Sequence, residues 1–190
     1  MDIEEIKKKY QETMQYIEDK EFSNAEKELE NIIETKPDFA PAYNKLGVVK
    51  ARQGELDSAL ECFNKAAELW PEFSAPYSNV GNVYMEKGDD ITAEKYYKHA
   101  LSINEQNRIP YNNLARIYKK RRQIGKFIKY QKLSHKHSGL DGDHEVFKHY
   151  FNEDVPESLK KGGVTGCFTM GGILGIIMVT ALILIGVLTS

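Results

Sequence analysis

Three stretches of the sequence repeat one another every 34 residues, and this period constrains the chain more than any other feature. Tyr43, Tyr77 and Tyr111 hold one position of the repeat, Leu46, Val80 and Leu114 a second, and Gly47, Gly81 and Ala115 a third. Gly54 and Gly88 keep the same step, as do Ala25, Ala59 and Ala93, and Pro37 and Pro71. A fainter copy runs from Ile6 to Phe39. A unit this short cannot bury its apolar face alone, so it must stack on its neighbours; the period predicts a solenoid.

Each copy reads as a helical hairpin. Tyr43, Leu46, Gly47 and Lys50 follow the i, i+3, i+4, i+7 stripe of one amphipathic helix. Leu56, Ala59, Leu60, Phe63, Ala66 and Ala67 form a second stripe. Gly54 suits the left-handed residue after the first helix, and Pro71 stands where the second must stop. Gly47 and Ala59 are small where two backbones approach, with Tyr43 and Phe63 filling the flanks.

These residues resemble the tetratricopeptide repeat family. The copy with Tyr77, Val80, Gly81, Tyr84, Gly88, Ala93, Tyr97 and Ala100 fits its pattern best. Departures are Lys50 at an aromatic site, Glu105 at the closing proline, and Arg122 and Phe127 at the last glycine and alanine sites. The resemblance covers about residues 6–139. It implies an all-α fold: a right-handed superhelix of about four antiparallel helix pairs, with degenerate terminal repeats.

The family lines its concave face with the first helix of each hairpin. The resemblance therefore implies a peptide groove lined by Asn44, Lys45, Val48 and Arg52, then Ser78, Asn79, Asn82 and Glu86, then Asn112, Asn113, Arg116 and Lys120. Asn79 and Asn113 share a repeat position that carries an asparagine ladder in some members; Lys45 and Gln11 take the equivalent places. A carboxamide both donates and accepts, so a column of them can hold an extended peptide backbone. A clamp for chaperone C-termini is not expected: Asn44, Val48, Asn79, Ile109 and Asn113 occupy its positions, and the cations it needs are missing.

Charge is unevenly spread. The chain has 26 basic and 28 acidic residues, yet residues 106–140 hold ten basic residues and no acid. Lys119, Lys120, Arg121, Arg122, Lys126, Lys129, Lys132 and Lys136 form a candidate cationic face, either solvated or set against anionic lipid. Ile124, Phe127, Ile128 and Tyr130 share the opposite side of the same helix. Nucleic acid is not expected as a partner and ranks third, because the nearby aromatics sit at packing positions.

Charges stop at Lys161. Val164 to Leu188 is 25 residues, about 37 Å as a helix and enough for a hydrocarbon core of about 30 Å. The division expected is a solenoid at 1–139, a juxtamembrane linker with a short helix capped by Asp143 at 140–162, and a transmembrane anchor at 163–188. Gly171 and Gly175 form a GxxxG pair sharing a face with Gly186, which suits helix packing in lipid. MDIEEIKKKY lacks the apolar core of a signal peptide, and Lys160 and Lys161 flank the span. The solenoid is therefore expected in the cytosol on a tail anchor inserted after translation.

No catalytic constellation is found, and neither metal nor cofactor is expected. His144-Glu145 and His149 resemble a zinc-protease HExxH, but an i, i+5 pair diverges by about 140° on a helix. Cys62 and Cys167 carry no ligand spacing. The expected function is a membrane-tethered interaction module or scaffold without enzymatic activity. The alternative is an assembly subunit of a larger membrane complex.

Overall fold

The computed structural model describes residues 2–137, 142–154 and 156. Among them are nine α-helices and no strand. The helices pair as α1 (Ile3–Glu18) with α2 (Phe22–Thr35), α3 (Ala40–Arg52) with α4 (Leu56–Leu69), α5 (Ser74–Glu86) with α6 (Asp90–Ile103), and α7 (Arg108–Lys120) with α8 (Ile124–Lys136). Each hairpin stacks on the next, with α2 against α3, α4 against α5 and α6 against α7, and the first helices neighbour one another. This is a tetratricopeptide-like solenoid. A short α9 (Gly142–Val146) continues into one π-helical turn, Phe147–Phe151, closed by Asn152 in the left-handed region.

The repeat is visible in the turns. Backbone N–H groups of Glu21, Glu55, Asp89 and Gln123 donate to the carbonyls of Tyr16, Lys50, Tyr84 and Tyr118 at 2.8–2.9 Å, one 34-residue step apart. The bond requires a left-handed residue before it. Gly54 (φ +87°) and Gly88 (φ +83°) supply it in the middle hairpins, whereas Lys20 (+64°) and Arg122 (+57°) adopt it despite their side chains. The terminal repeats thus keep the turn and bear the strain that glycine avoids. Asp2, Asp89 and Asn107 cap α1, α6 and α7 through side-chain oxygens.

Within a hairpin, size is complementary. A Cβ on Gly47 would lie 2.5 Å from the Phe63 ring, and one on Gly81 2.7 Å from the Tyr97 ring, so both rings rest on bare backbone. The same repeat positions pair Thr13 with Leu29 and Ala115 with Gln131.

The last helix of the four hairpins, α8, departs from expectation. Ile124 and Ile128 are 57% and 44% exposed, while Phe127 and Tyr130 pack on Leu114, Ile117 and Tyr118. The four apolar residues do not share one buried side, because no hairpin follows to cover the outer flank of α8 among the described residues. The span expected at 163–188, with Gly171, Gly175 and Gly186, lies outside the described residues. None of the described helices is long and apolar enough to cross a membrane.

Candidate interaction groove

Asparagines are prominent on the first-helix face expected to line the groove. Asn44, Asn79, Asn82 and Asn113 are buried and engage one another. Asn79 Nδ2 donates to Asn44 Oδ1 at 2.9 Å, linking α5 to α3. Asn113 Nδ2 donates to Asn82 Oδ1 at 2.7 Å, linking α7 to α5, and the same oxygen accepts from Tyr97 Oη at 2.8 Å. These carboxamides join successive repeats. Val48 and Ser78 are also buried, whereas Glu86 and Arg116 are exposed and Asn112 is half-buried. Asn112 Oδ1 accepts from Ser134 of α8. Arg52 is half-buried at the end of α3 and its Nε lacks a hydrogen-bond partner; desolvation pulls its pKa down. Arg116 lines, with Met85, Asp90, Ile117 and Lys120, a pocket of about 300 Å³ between α5 and α7.

The asparagines set up a measurable consequence. Replacing Asn79 and Asn113 together by Ala removes both side-chain bonds that link successive first helices, at about 1 kcal/mol per bond, while Asn82 Oδ1 keeps its bond from Tyr97. The double variant should melt well below wild type by circular dichroism. An unchanged melting temperature would mean that these bonds add nothing to the stacking of the repeats.

Another part of this face, around Lys45, is occupied. The segment from Asp143 to Phe151 lies against the α1 and α3 side of the solenoid and reaches the start of α5. Lys45 is 3% exposed and Asp143 1%, with Nζ 2.8 Å from Oδ1 and 2.9 Å from Oδ2. Tyr10 Oη donates to Asp143 Oδ1 at 3.2 Å, and the ammonium stands 5.8 Å from the Tyr10 ring centroid. Glu145 takes three donors: the Ser74 backbone N–H at 3.0 Å, Ser74 Oγ at 2.5 Å and Asn104 Nδ2 at 2.5 Å. Asn107 Nδ2 holds Ser74 Oγ at 3.0 Å.

Aromatic rings close the contact. Phe147 is fully buried, 6.5 Å from Tyr10. Tyr150 meets Phe39 edge-on at 4.7 Å, and His149 stacks on Trp70 at 4.1 Å. Lys7 reaches Glu153 at 2.7 Å. The stretch expected as a linker with a short helix thus includes a turn that returns to the solenoid. Lys45 is among the residues the resemblance implies for the groove; Tyr10, Phe39, Trp70, Ser74, Asn104 and Asn107 are not. The sequence signal for them was the Asp-x-Glu-x-Phe run itself, whose carboxylates and ring need partners elsewhere.

The cationic face is only partly uncompensated. Lys120 pairs with Asp90 at 2.7 Å and Arg121 with Glu94, both acids arriving from α6. No acid is near these cations in sequence, but the stacking of repeats brings two. Lys119, Arg122, Lys126, Lys129, Lys132 and Lys136 remain exposed, and Lys126 lies 5.0 Å from the centroid of the Tyr118 ring. Among the described residues no group of three His, Cys, Asp or Glu side chains is placed to hold a metal. Burial pushes the Cys62 thiol up to about 11, away from nucleophilic use.

The tetratricopeptide repeat family model matches residues 40–73, which span α3, α4 and the turn before α5. A second model, described as the Est1 DNA/RNA binding domain, matches residues 59–139. No curated protein matches. Among solved structures, a crystal structure of MamA is 20% identical, with a TM-score of 0.58, covering 70% of this chain and 77% of that one. A second MamA structure is 18% identical, with a TM-score of 0.56 and coverage of 80% and 79%. A chain of the APC/C hetero-tetramer Cut9–Hcn1 is 18% identical, with a TM-score of 0.60, covering 72% of this chain and 26% of that one. One tetratricopeptide repeat is thus matched at residues 40–73, and the solved structures share the helical-solenoid fold of the chain.

Proposed function

We propose that the protein is an interaction module that binds a protein partner along the first-helix face and is tethered to a membrane through residues 164–188. The observation that carries the binding role is the seated segment itself: Tyr10 and Lys45 on the first helices, together with Phe39, Trp70, Ser74 and Asn104 at the junctions between hairpins, already hold a helical turn of polypeptide by a buried ion pair, a carboxylate site and an aromatic cluster. The tether rests on the 25-residue uncharged run and the lysines before it. Deleting residues 163–190 should release the protein from alkali-washed membranes, and a truncated form that stays in the pellet would refute the tether. Full-length protein solubilised in detergent should bring down a partner that the charge-reversal variant K45E loses. A partner held in fixed ratio would identify an assembly subunit rather than an adaptor.

A second reading is favoured by the Est1 match over α4–α8 and by the exposed lysines of α8: this flank binds a polyanion, either nucleic acid or an anionic lipid surface. Lys126→Glu, Lys129→Glu and Lys132→Glu together should weaken retention by single-stranded RNA or by anionic vesicles at least tenfold at low salt. Wild-type protein that binds neither at low salt would remove this reading.

A further inference from the structure

We propose that the groove selects an acidic–aromatic peptide of the form Asp-x-Glu-x-Phe, and that Asp143–Phe151 is a resident competitor for such a peptide from a partner protein. This rests on the interaction-module reading and adds to it the chemistry of the partner.

The subsites dictate that chemistry. Lys45 brings a full charge to a place where it keeps only 3% of its exposure, so whatever covers it must carry an anion. The neighbouring donor is Tyr10 Oη, and Asp143 satisfies both groups with one carboxylate. Around the start of α5, Ser74 N–H, Ser74 Oγ and Asn104 Nδ2 converge on a second carboxylate. Positions two apart on a helix diverge by about 200°. One carboxylate can therefore reach α1 and α3 while the other reaches α5, and the x residue between them, His144, is not required by either site. The ring two residues further on, Phe147, enters the space beside Tyr10, and the next turn lays His149 and Tyr150 on Trp70 and Phe39.

The segment is suited to exchange. Helices this short are not stable alone in water, so Gly142–Val146 is held by the groove rather than by itself. Asp143, Val146 and Phe147 are buried in the contact, while Lys148 and His149 are exposed and Tyr150 half-buried, so the segment is inserted along one side and open to solvent along the other. Five residues, 137–141, separate it in sequence from the end of α8, and so short a connection gives an effective concentration in the ~mM range. An isolated peptide of equal quality is thus largely excluded, and a partner must bind better or attach at a second point.

Trp70 is the single tryptophan of the chain and stacks on His149, so its emission reports whether the segment is seated. Full-length protein in detergent carrying D143N, E145Q and F147A should show red-shifted emission. Titration with a labelled peptide of residues 142–153 should restore it, with at least tenfold tighter binding than to wild type. Adding Lys45→Gln should weaken that binding at least tenfold, and a scrambled peptide should not bind. An intact solenoid sequence can be tested in parallel by placing a protease site at 138–141: after cleavage the fragment should leave on dilution and return saturably. A fragment that never leaves, or a folded open variant that binds the peptide no better than wild type, would overturn the proposal. Exchange of the segment between copies, seen as a concentration-dependent dimer, would overturn it too by assigning the groove to a second copy. A partner that still copurifies through Lys45 when the peptide fails would leave the interaction-module reading standing.

Discussion

Gly47→Ala and Gly81→Ala are each expected to destabilise the solenoid by about 1–3 kcal/mol, lowering the melting temperature by roughly 2–4 °C per kcal/mol. The methyl carbon would stand 2.5 Å from Phe63 Cε1 in the first case and 2.7 Å from Tyr97 Cε1 in the second. Neither ring can swing away, because both are fully buried between their hairpin's two helices. Helix propensity works the other way, favouring Ala over Gly by about 1 kcal/mol, so a net loss of stability isolates the steric term. Gly54→Ala and Gly88→Ala provide the contrast. Nothing lies within 4 Å of either position, and their cost of about 1 kcal/mol comes from a left-handed backbone alone. A double-mutant cycle separates the two cases. Phe63→Leu should relieve part of the Gly47→Ala penalty and none of the Gly54→Ala penalty. Thermal and urea denaturation of the six proteins measure this, and equal costs at Gly47 and Gly54 would refute the close approach.

The repeat was legible because its causes are local. Gly47, Phe63 and the turn at Gly54 recur at a fixed step, and each states its requirement within one hairpin. The docked segment is different: Asp143 meets Lys45 across 98 residues and Tyr10 across 133. No period links an acid beyond the last repeat to a lysine in the second. The asparagines illustrate a subtler limit. Their positions on the first helices were readable, but whether a carboxamide faces a ligand or the next repeat depends on the side chain one repeat away. Here Asn44 answers Asn79, and Asn82 answers Asn113. The cationic stretch fails for the same reason as the segment, since Asp90 and Glu94 lie on the previous hairpin and become neighbours of Lys120 and Arg121 only by stacking.

That stacking makes Glu94 the second sensitive position. Its carboxylate is 15% exposed and accepts hydrogen bonds from Lys98 Nζ at 2.6 Å, from Tyr118 Oη at 2.6 Å and from Arg121 Nη1. Burial pushes its pKa up, but these three donors outweigh burial and hold it at about 2, below the usual 4.5. A carboxylate with a depressed folded-state pKa stabilises the fold in full above its unfolded value and loses that contribution as pH falls through the folded one. Glu94→Gln should therefore cost about 2–3 kcal/mol at neutral pH, where charge-assisted bonds to α7 and its following turn are weakened. The gap to wild type should narrow as pH drops from about 4.5 towards about 2. Lys98→Gln should cost only a few tenths of a kcal/mol, because Lys98 is 53% exposed and pairs with Glu94 within one helix. Arg121→Gln should approach the Glu94 effect, because Arg121 ties the last hairpin to the one before it and also donates to the Asp90 carbonyl. Urea denaturation of the three variants and wild type at pH 7, 4 and 2.5 measures all of these at once. A Glu94→Gln penalty that does not change with pH would mean that shape, not charge, holds the last repeat in place. In that case Arg121 would belong with the exposed cations of α8 after all.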